Sequence, residues 1–150
     1  DIVHLHRGYV SDCTRIFSSG KLSSEWIQRL SDMQEISKAV TQSLGKGDKC
    51  SKSWNIGHSM AIEMGHSNNL MGMKPDQAKF LGHSVGLELD ETPVVAEGFD
   101  RPLEIGGTMA IEPKVIHKDG AIGIEDTWSR TKNGMICLTM GDKFSAITEW

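Results

Sequence analysis

Cysteine is scarce in this 150-residue chain, and positive charge is in deficit. The three cysteines, Cys13, Cys50 and Cys137, are odd in number, far apart and without a Cys-x-x-Cys pair. That pattern argues against a disulfide framework and for reduced thiols in a cytoplasmic protein. The net charge of -4 argues against a nucleic-acid partner, because neutralising phosphates requires a basic face. No apolar run approaches the roughly 20 residues needed to cross a bilayer, so no membrane span is expected. No basic segment followed by an apolar one marks a secretory signal, and no internal repeat or low-complexity tract is visible. What remains is ordinary globular composition, 38% hydrophobic and 24% charged. It is enough for one domain with one core. The chain opens directly on an apparent strand and is therefore expected to be cut from something longer.

Residues 1 to 17 read as a hairpin: Ile2, Val3 and Leu5, a polar tip at His6-Arg7, then Tyr9, Val10, Ile16 and Phe17. Ser23, Ser24 and Glu25 supply a helix start. Trp26, Leu30, Met33, Ile36, Val40 and Leu44 follow at three- and four-residue steps, with Gly45 as the expected stop. Asp48 can cap a second helix with the stripe Cys50, Trp54, Gly57, Ala61 and Met64, ending at Gly65. A short link between two such helices predicts an antiparallel pair. Residues 68 to 79 carry loop signals. Beyond them come a short strand at Phe80-Leu81 and longer ones over 108–116, 121–128 and 135–139, with turns at Lys118-Asp119-Gly120 and Lys132-Asn133-Gly134. Strands, a helix pair, then strands again is an α+β order.

Two hairpins carry carboxylates that should repel. With His6-Arg7 at the tip, Asp1 falls across from Asp12, and opposed like charges only about 4.5–5.5 Å apart are destabilising. Glu112 and Glu125 flank the turn at Lys118-Asp119-Gly120 and come nearly opposite, within a one-residue bulge. Between the pairs lies Gly82-His83-Ser84-Val85-Gly86, an imidazole flanked by glycines that let backbone approach closely. A lone acidic pair is ordinarily two solvated side chains, and a lone histidine a satisfied one. Four carboxylates and one imidazole together make a ligand set for two adjacent divalent cations.

At these residues the sequence resembles the creatinase/aminopeptidase P/prolidase family of metallopeptidases, the pita-bread fold. The matching stretches are Asp1, Gly8-Tyr9-Val10-Ser11-Asp12-Cys13-Thr14-Arg15, Gly82-His83-Ser84-Val85-Gly86-Leu87-Glu88, Ala110-Ile111-Glu112-Pro113 and Gly123-Ile124-Glu125-Asp126. Five motifs stand in register over almost the whole chain. The resemblance implies that residues 1–150 are the C-terminal, metal-binding part of a catalytic domain whose N-terminal half is absent. It implies that Asp1 binds one metal, His83 and Glu112 the second, and that Asp12 and Glu125 bridge both. A bridging water or hydroxide would then be the nucleophile of a dinuclear hydrolase acting on Xaa-Pro or similar small peptides. Manganese suits mainly carboxylate ligands; cobalt, zinc or iron would also fit. Thr14 would stand beside Asp12 on the metal-facing side of its strand as an outer hydroxyl, while Cys13 points away toward the core. A homodimer is implied by the same analogy.

Three departures from the family pattern are visible. Where its peptidases have a histidine seven residues after the ligand histidine, this chain has Asp90, the candidate catalytic residue. An aspartate accepts a proton but, ionised beside two cations, donates one poorly. Gly123 stands where many relatives carry an arginine two residues before the last glutamate, which removes one substrate anchor. The third is the absent N-terminal half, with its second catalytic histidine. These departures keep two alternatives open: a creatinase-like hydrolase or lyase of a small metabolite with Asp90 as base, and a binding module that has lost catalysis. The remaining histidines, His4, His6, His58, His66 and His117, match no metal motif; His58 and His66 are expected to be solvated or capping. Trp54, Met71 and Met73 are expected to pack.

Overall fold

The computed structural model describes residues 1–139 and the backbone of Ile147–Glu149. A hairpin of β1 (Ile2–His6) and β2 (Tyr9–Cys13) is followed by the short β3 (Ile16–Ser18) and then by α1 (Ser24–Gly45) and α2 (Cys50–Glu63). Next come β4 (Phe80–Ser84), β5 (Glu91–Ala96), β6 (Thr108–Ile111), β7 (Lys114–His117), β8 (Gly120–Gly123), β9 (Asp126–Thr131) and β10 (Gly134–Cys137). A further strand, β11 (Ile147–Glu149), pairs in parallel with β3. The main sheet has the order β10-β9-β6-β4-β5 and is antiparallel throughout. The order of elements is α+β.

The helix stripe faces the sheet. Met33, Ile36, Val40 and Leu44 of α1 are fully buried with Leu81, Met109, Ile111 and Val115. The two helices run antiparallel: Ser43 meets Ser53 near their junction, and Asp32 meets His66 at the far end. Ser23 does cap α1, its hydroxyl accepting from the Trp26 N–H. Gly45 closes the helix as expected, with the cap at Lys46, and its close packing on Gly134 and Met135 of β10 also explains the missing side chain. Asp48 does not cap α2. Lys49 holds that position without a side-chain capping bond, and Asp48 pairs with Lys52 and Ser43.

Strand registers differ from expectation in an instructive way. The first hairpin turns at Arg7-Gly8, both with positive φ (53° and 89°), as a two-residue type I′ turn requires. Val3 therefore pairs with Asp12, and Asp1 is not opposite Asp12 but level with Thr14. The slip is two residues. Because side chains alternate with period two, Asp1 and Asp12 still face the same way. The expected strands over 108–116 and 121–128 are each broken, into β6 and β7 and into β8 and β9. The expected bulge is absent. Ile111 pairs with Asp126 and Lys114 with Gly123, so Glu112 and Glu125 lie directly opposite in the gap between two ladders.

Candidate metal centre

The site forms where the first hairpin crosses the main sheet. Backbone bonds fix the crossing: the Val10 N–H donates to the Gly86 carbonyl at 2.7 Å and the Thr14 N–H to the Glu125 carbonyl at 3.1 Å. Thr127 clasps Asp12, its hydroxyl accepting from the Asp12 N–H at 2.9 Å and donating to the Asp12 carbonyl at 2.8 Å. Arg15 locks the far side by an ion pair of 2.7 Å with the buried Asp126 and a bond of 2.9 Å to the Glu125 carbonyl. His83 arrives on β4. There Gly82 permits close strand approach, since a Cβ on it would lie 2.3 Å from the Ala110 carbonyl oxygen of β6. Glu112 is set by its own N–H, which donates to the Leu81 carbonyl at 3.0 Å.

Asp12, His83 and Glu125 are all buried, and each offers a ligand atom within 4.8 Å of the others. Glu112, also buried, lies beside them with Oε1 3.4 Å from His83 Nε2. Asp1 stands at the exposed rim, bonded to the Thr14 hydroxyl, which also lies 2.7 Å from Glu125 Oε2. One hydroxyl proton cannot serve both carboxylates at once, so Thr14 is a shared contact between them. Asp90 lies outside this group. It is 76% exposed, with Oδ1 3.3 Å from His83 Nδ1 on the outer side of the ring. A cavity of about 190 Å³ is walled by Asp1, Thr14, Glu112, Lys114 and Glu125. A larger one of about 830 Å³, between α1 and β9-β10, is lined by none of the five candidate ligands.

The electrostatics are those of a site short of positive charge. Burial pushes the Asp12 carboxyl up, with His83 opposing and the charge of Glu112 adding to the rise. Burial likewise raises Glu125, against the Thr14 hydrogen bond and with help from Glu112 and Asp12. Asp12 Oδ1 is fully buried with no hydrogen-bond partner among the described residues, a costly state for a carboxylate oxygen. Glu112 is the exception. Burial would raise it, but His83 and the Lys114 ammonium, 2.5 Å from Oε2, hold it below its ordinary value. His83 answers in kind: burial would lower it, yet its bonds to Glu112 and the Ser84 carbonyl and the charges of Glu112 and Asp90 raise it to about 9.

Several participants escaped the sequence reading. Arg15 and Asp126 lie within matched motifs, but their buried pairing joins strands more than a hundred residues apart. Thr127 carries no signal beyond adjacency to a motif. Lys114 sits two residues after Glu112, and that spacing on a strand places both side chains on one face. His66 is a correction: it is buried and bonds Asp32 at 2.8 Å rather than being solvated. His58 stacks on Trp54, which packs into the core. Met71 is buried and Met73 exposed. Cys13 is half-buried, its thiol facing the Ile2 carbonyl.

Comparison with known proteins bears on the family and the fold. A curated Xaa-Pro dipeptidase of Pyrococcus horikoshii is 30% identical over 144 residues, covering 95% of this chain and 39% of that protein. An Xaa-Pro dipeptidase of Lactobacillus delbrueckii subsp. lactis is 26% identical over the same share of the chain and 37% of its own length. The chain thus spans about two fifths of the length of the curated relatives it matches. Among solved structures, the prolidase from Pyrococcus horikoshii OT3 superposes with a TM-score of 0.81 at 30% identity, over 93% of this chain and 39% of that one. The X-Pro aminopeptidase from Thermotoga maritima superposes with a TM-score of 0.85 at 22% identity, over 99% of this chain and 40% of that one, and so shares the fold. That fold is the pita-bread fold. The profile of Metallopeptidase family M24 matches residues 1–132, and with it the ordered series from Asp1 to Glu125: this chain belongs to Metallopeptidase family M24.

Proposed function

We propose that this chain is the C-terminal, ligand-bearing part of a dinuclear metallopeptidase that cleaves Xaa-Pro or similar small peptides. The observation that carries the reading is the buried group of Asp12, His83 and Glu125, with an Asp12 oxygen that has no proton donor among the described residues and wants a cation. The residues fit such a pair of ions in number and kind. Asp12 and Glu125 would bridge, Asp1 would complete one position, and His83 with Glu112 the other. Oxygen-rich ligation favours manganese, with cobalt, zinc or iron able to fit. When bound, two such cations supply Lewis acidity, lowering the pKa of water and polarising the carbonyl of the bond to be cleaved.

The chain's own residues do the positioning. Asp90 against Nδ1 would keep the proton on that nitrogen and leave Nε2 as the ligand atom, as carboxylates commonly do behind metal-bound histidines. Thr14 ties Asp1 to Glu125 and so sets the rim carboxylate against the buried one. Arg15 and Thr127 hold the backbone on which Asp12 and Glu125 ride. Among the described residues no helix is long and apolar enough to cross a membrane. Cys13 and Cys50 are thiols, which supports a reducing, cytoplasmic setting. A homodimer of the longer protein rests on the family resemblance.

The test is metal stoichiometry with peptide turnover. Equilibrium dialysis against manganese should leave two ions per chain, and the loaded longer protein should release proline from Xaa-Pro dipeptides. Retention of no more metal than a surface-charge background would sink the reading. Two ions retained without proline release would leave the centre and remove the substrate.

A further inference from the structure

The far face of the first hairpin carries ligand atoms that the candidate metal centre does not use. Val3 pairs with Asp12 and Leu5 with Val10, so these side chains share the face turned toward that centre. His4 and His6 alternate onto the opposite face, across from Ser11 and Tyr9. Both imidazoles are exposed. Their rings lie nearly parallel, 16° apart in plane, with centroids 6.5 Å from each other. Among the described residues neither ring has a hydrogen bond or an ion pair, and each has only the other as a ring contact. The remaining histidines are all engaged. His58 stacks on Trp54, His66 bonds Asp32, His83 meets Glu112, and His117 stands edge-on to Trp26.

Two imidazoles two residues apart form a chelate when the backbone between them is extended, because only then do both point to one side. Pairing with β2 along its whole length and the turn at Arg7-Gly8 hold β1 in that form. An ion about 2.0–2.1 Å from one nitrogen of each ring would set the centroids roughly 5–6 Å apart. A small rotation of two exposed side chains reaches that from 6.5 Å. Both rings are open to solvent, so water can fill the other coordination positions. Two neutral nitrogens without a carboxylate are a different donor set from the oxygen-rich group of Asp12, Glu112 and Glu125. Imidazole suits zinc, nickel and copper, and copper(II) heads the divalent series at a given nitrogen site. We propose that His4 and His6 chelate a divalent transition cation of this kind, at a site separate from the candidate metal centre. The consequence is local order. Among the described residues β1 is paired with β2 alone and is exposed throughout. A cation that binds the extended strand and not a frayed one stabilises the strand by mass action, and that strand leads directly to Asp1.

Copper(II) is the probe. Titrated into the 150-residue chain and followed by electron paramagnetic resonance, it should fill one site whose spectrum carries splitting from two imidazole nitrogens. His4→Gln and His6→Gln should each weaken that site by about tenfold or more, because the second imidazole no longer binds at the effective concentration the strand provides. His58→Gln should leave it unchanged. So should Asp12→Ala, which keeps this site distinct from the candidate centre. The geometry has its own control. Leu5→His combined with His6→Gln keeps two histidines in β1 but turns them to opposite faces, and should bind no better than His6→Gln alone. Equal copper affinity in the wild type and His4→Gln overturns the proposal, as does a two-nitrogen spectrum from the Leu5→His, His6→Gln variant. Loss of the signal in Asp12→Ala would give the ion to the candidate centre and overturn it equally.

Discussion

The two acidic hairpins of this chain make a natural pair for comparison. Each brings two carboxylates toward one pocket, but they are built under opposite constraints. The β1-β2 hairpin is exposed along all of β1, with Ile2, Val3, Leu5 and Tyr9 each at least half exposed. The strands around Glu112 and Glu125 are central, with Met109, Ala110, Ile111 and Val115 fully buried. Register is strongly specified only where one face is buried. The buried pair thus meets squarely, Glu112 against Glu125, whereas the exposed hairpin takes its register from the turn at Arg7-Gly8. The exposed hairpin still delivers Asp12, because Thr127 and the backbone near Thr14 hold it on the body. Asp1, beyond those clasps, has only the Thr14 hydroxyl among the described residues.

The sharpest way to break this contrast is to weaken each region in turn. Met33→Ala in α1 removes a fully buried side chain and should cost about 2–5 kcal/mol of stability. Leu5→Ala in the first hairpin, at 64% exposure, should stay within about 0.5 kcal/mol. Chemical denaturation measures both. Equal losses would mean that the hairpin is as much a part of the core as the helix, and the asymmetry drawn above would be wrong.

The second prediction carries the contrast into the site. Asp12 is buried and, on the proposed reading, would serve both ions, whereas Asp1 is an exposed rim group. Outer-shell changes already cost about 10–100-fold in metal affinity, so Asp12→Ala should exceed that range and abolish stable binding of both ions. Asp1→Ala should leave one tight equivalent and lose the other. Metal analysis after dialysis reads the stoichiometry directly. Loss of both ions from Asp1→Ala, or of neither from Asp12→Ala, would dissolve the distinction between rim and buried ligand.

Much of this was legible in the sequence, for reasons that can be stated residue by residue. The α1 stripe from Trp26 to Leu44 fixed the helix face, because a 3.6-residue period leaves one choice of side to bury. The convergence of the two hairpins survived a wrong turn assignment, because a slip of two residues preserves the face even as it changes the partner. The ends of elements were less readable. Gly45 reads as a stop and is one, but Asp48 reads as a cap, yet it pairs with Lys52 and Ser43. There one local contact outcompeted another. The long-range polar pairs, Arg15 with Asp126 and Asp32 with His66, were not legible at all. Nothing in the spacing of two residues far apart in the chain says that their strands or helices will touch.

The smallest expected effect, and the one that tests the balance of charge around Glu112, is the pH dependence of the metal-free chain. His83 is raised from about 6.5 when unfolded to about 9 in the fold. Glu112 is held low, so it stays ionised across that window. A group whose folded pKa is raised contributes stability that is fully present below its unfolded pKa and is lost as pH rises through its folded one. The metal-free protein should therefore weaken between about pH 6.5 and 9. One pKa unit corresponds to about 1.4 kcal/mol, but the His83–Glu112 contact at 3.4 Å is long for a charged hydrogen bond. The loss should thus be on the order of 1–2 kcal/mol. With saturating manganese the slope should turn, because a metal takes the neutral imidazole and its affinity rises as the proton leaves. Denaturation midpoints across that range, with and without manganese, separate the two curves. Parallel curves would mean that His83 exchanges no proton when the metal arrives, and that the raised pKa belongs to a structural pair rather than to a ligand waiting for its ion.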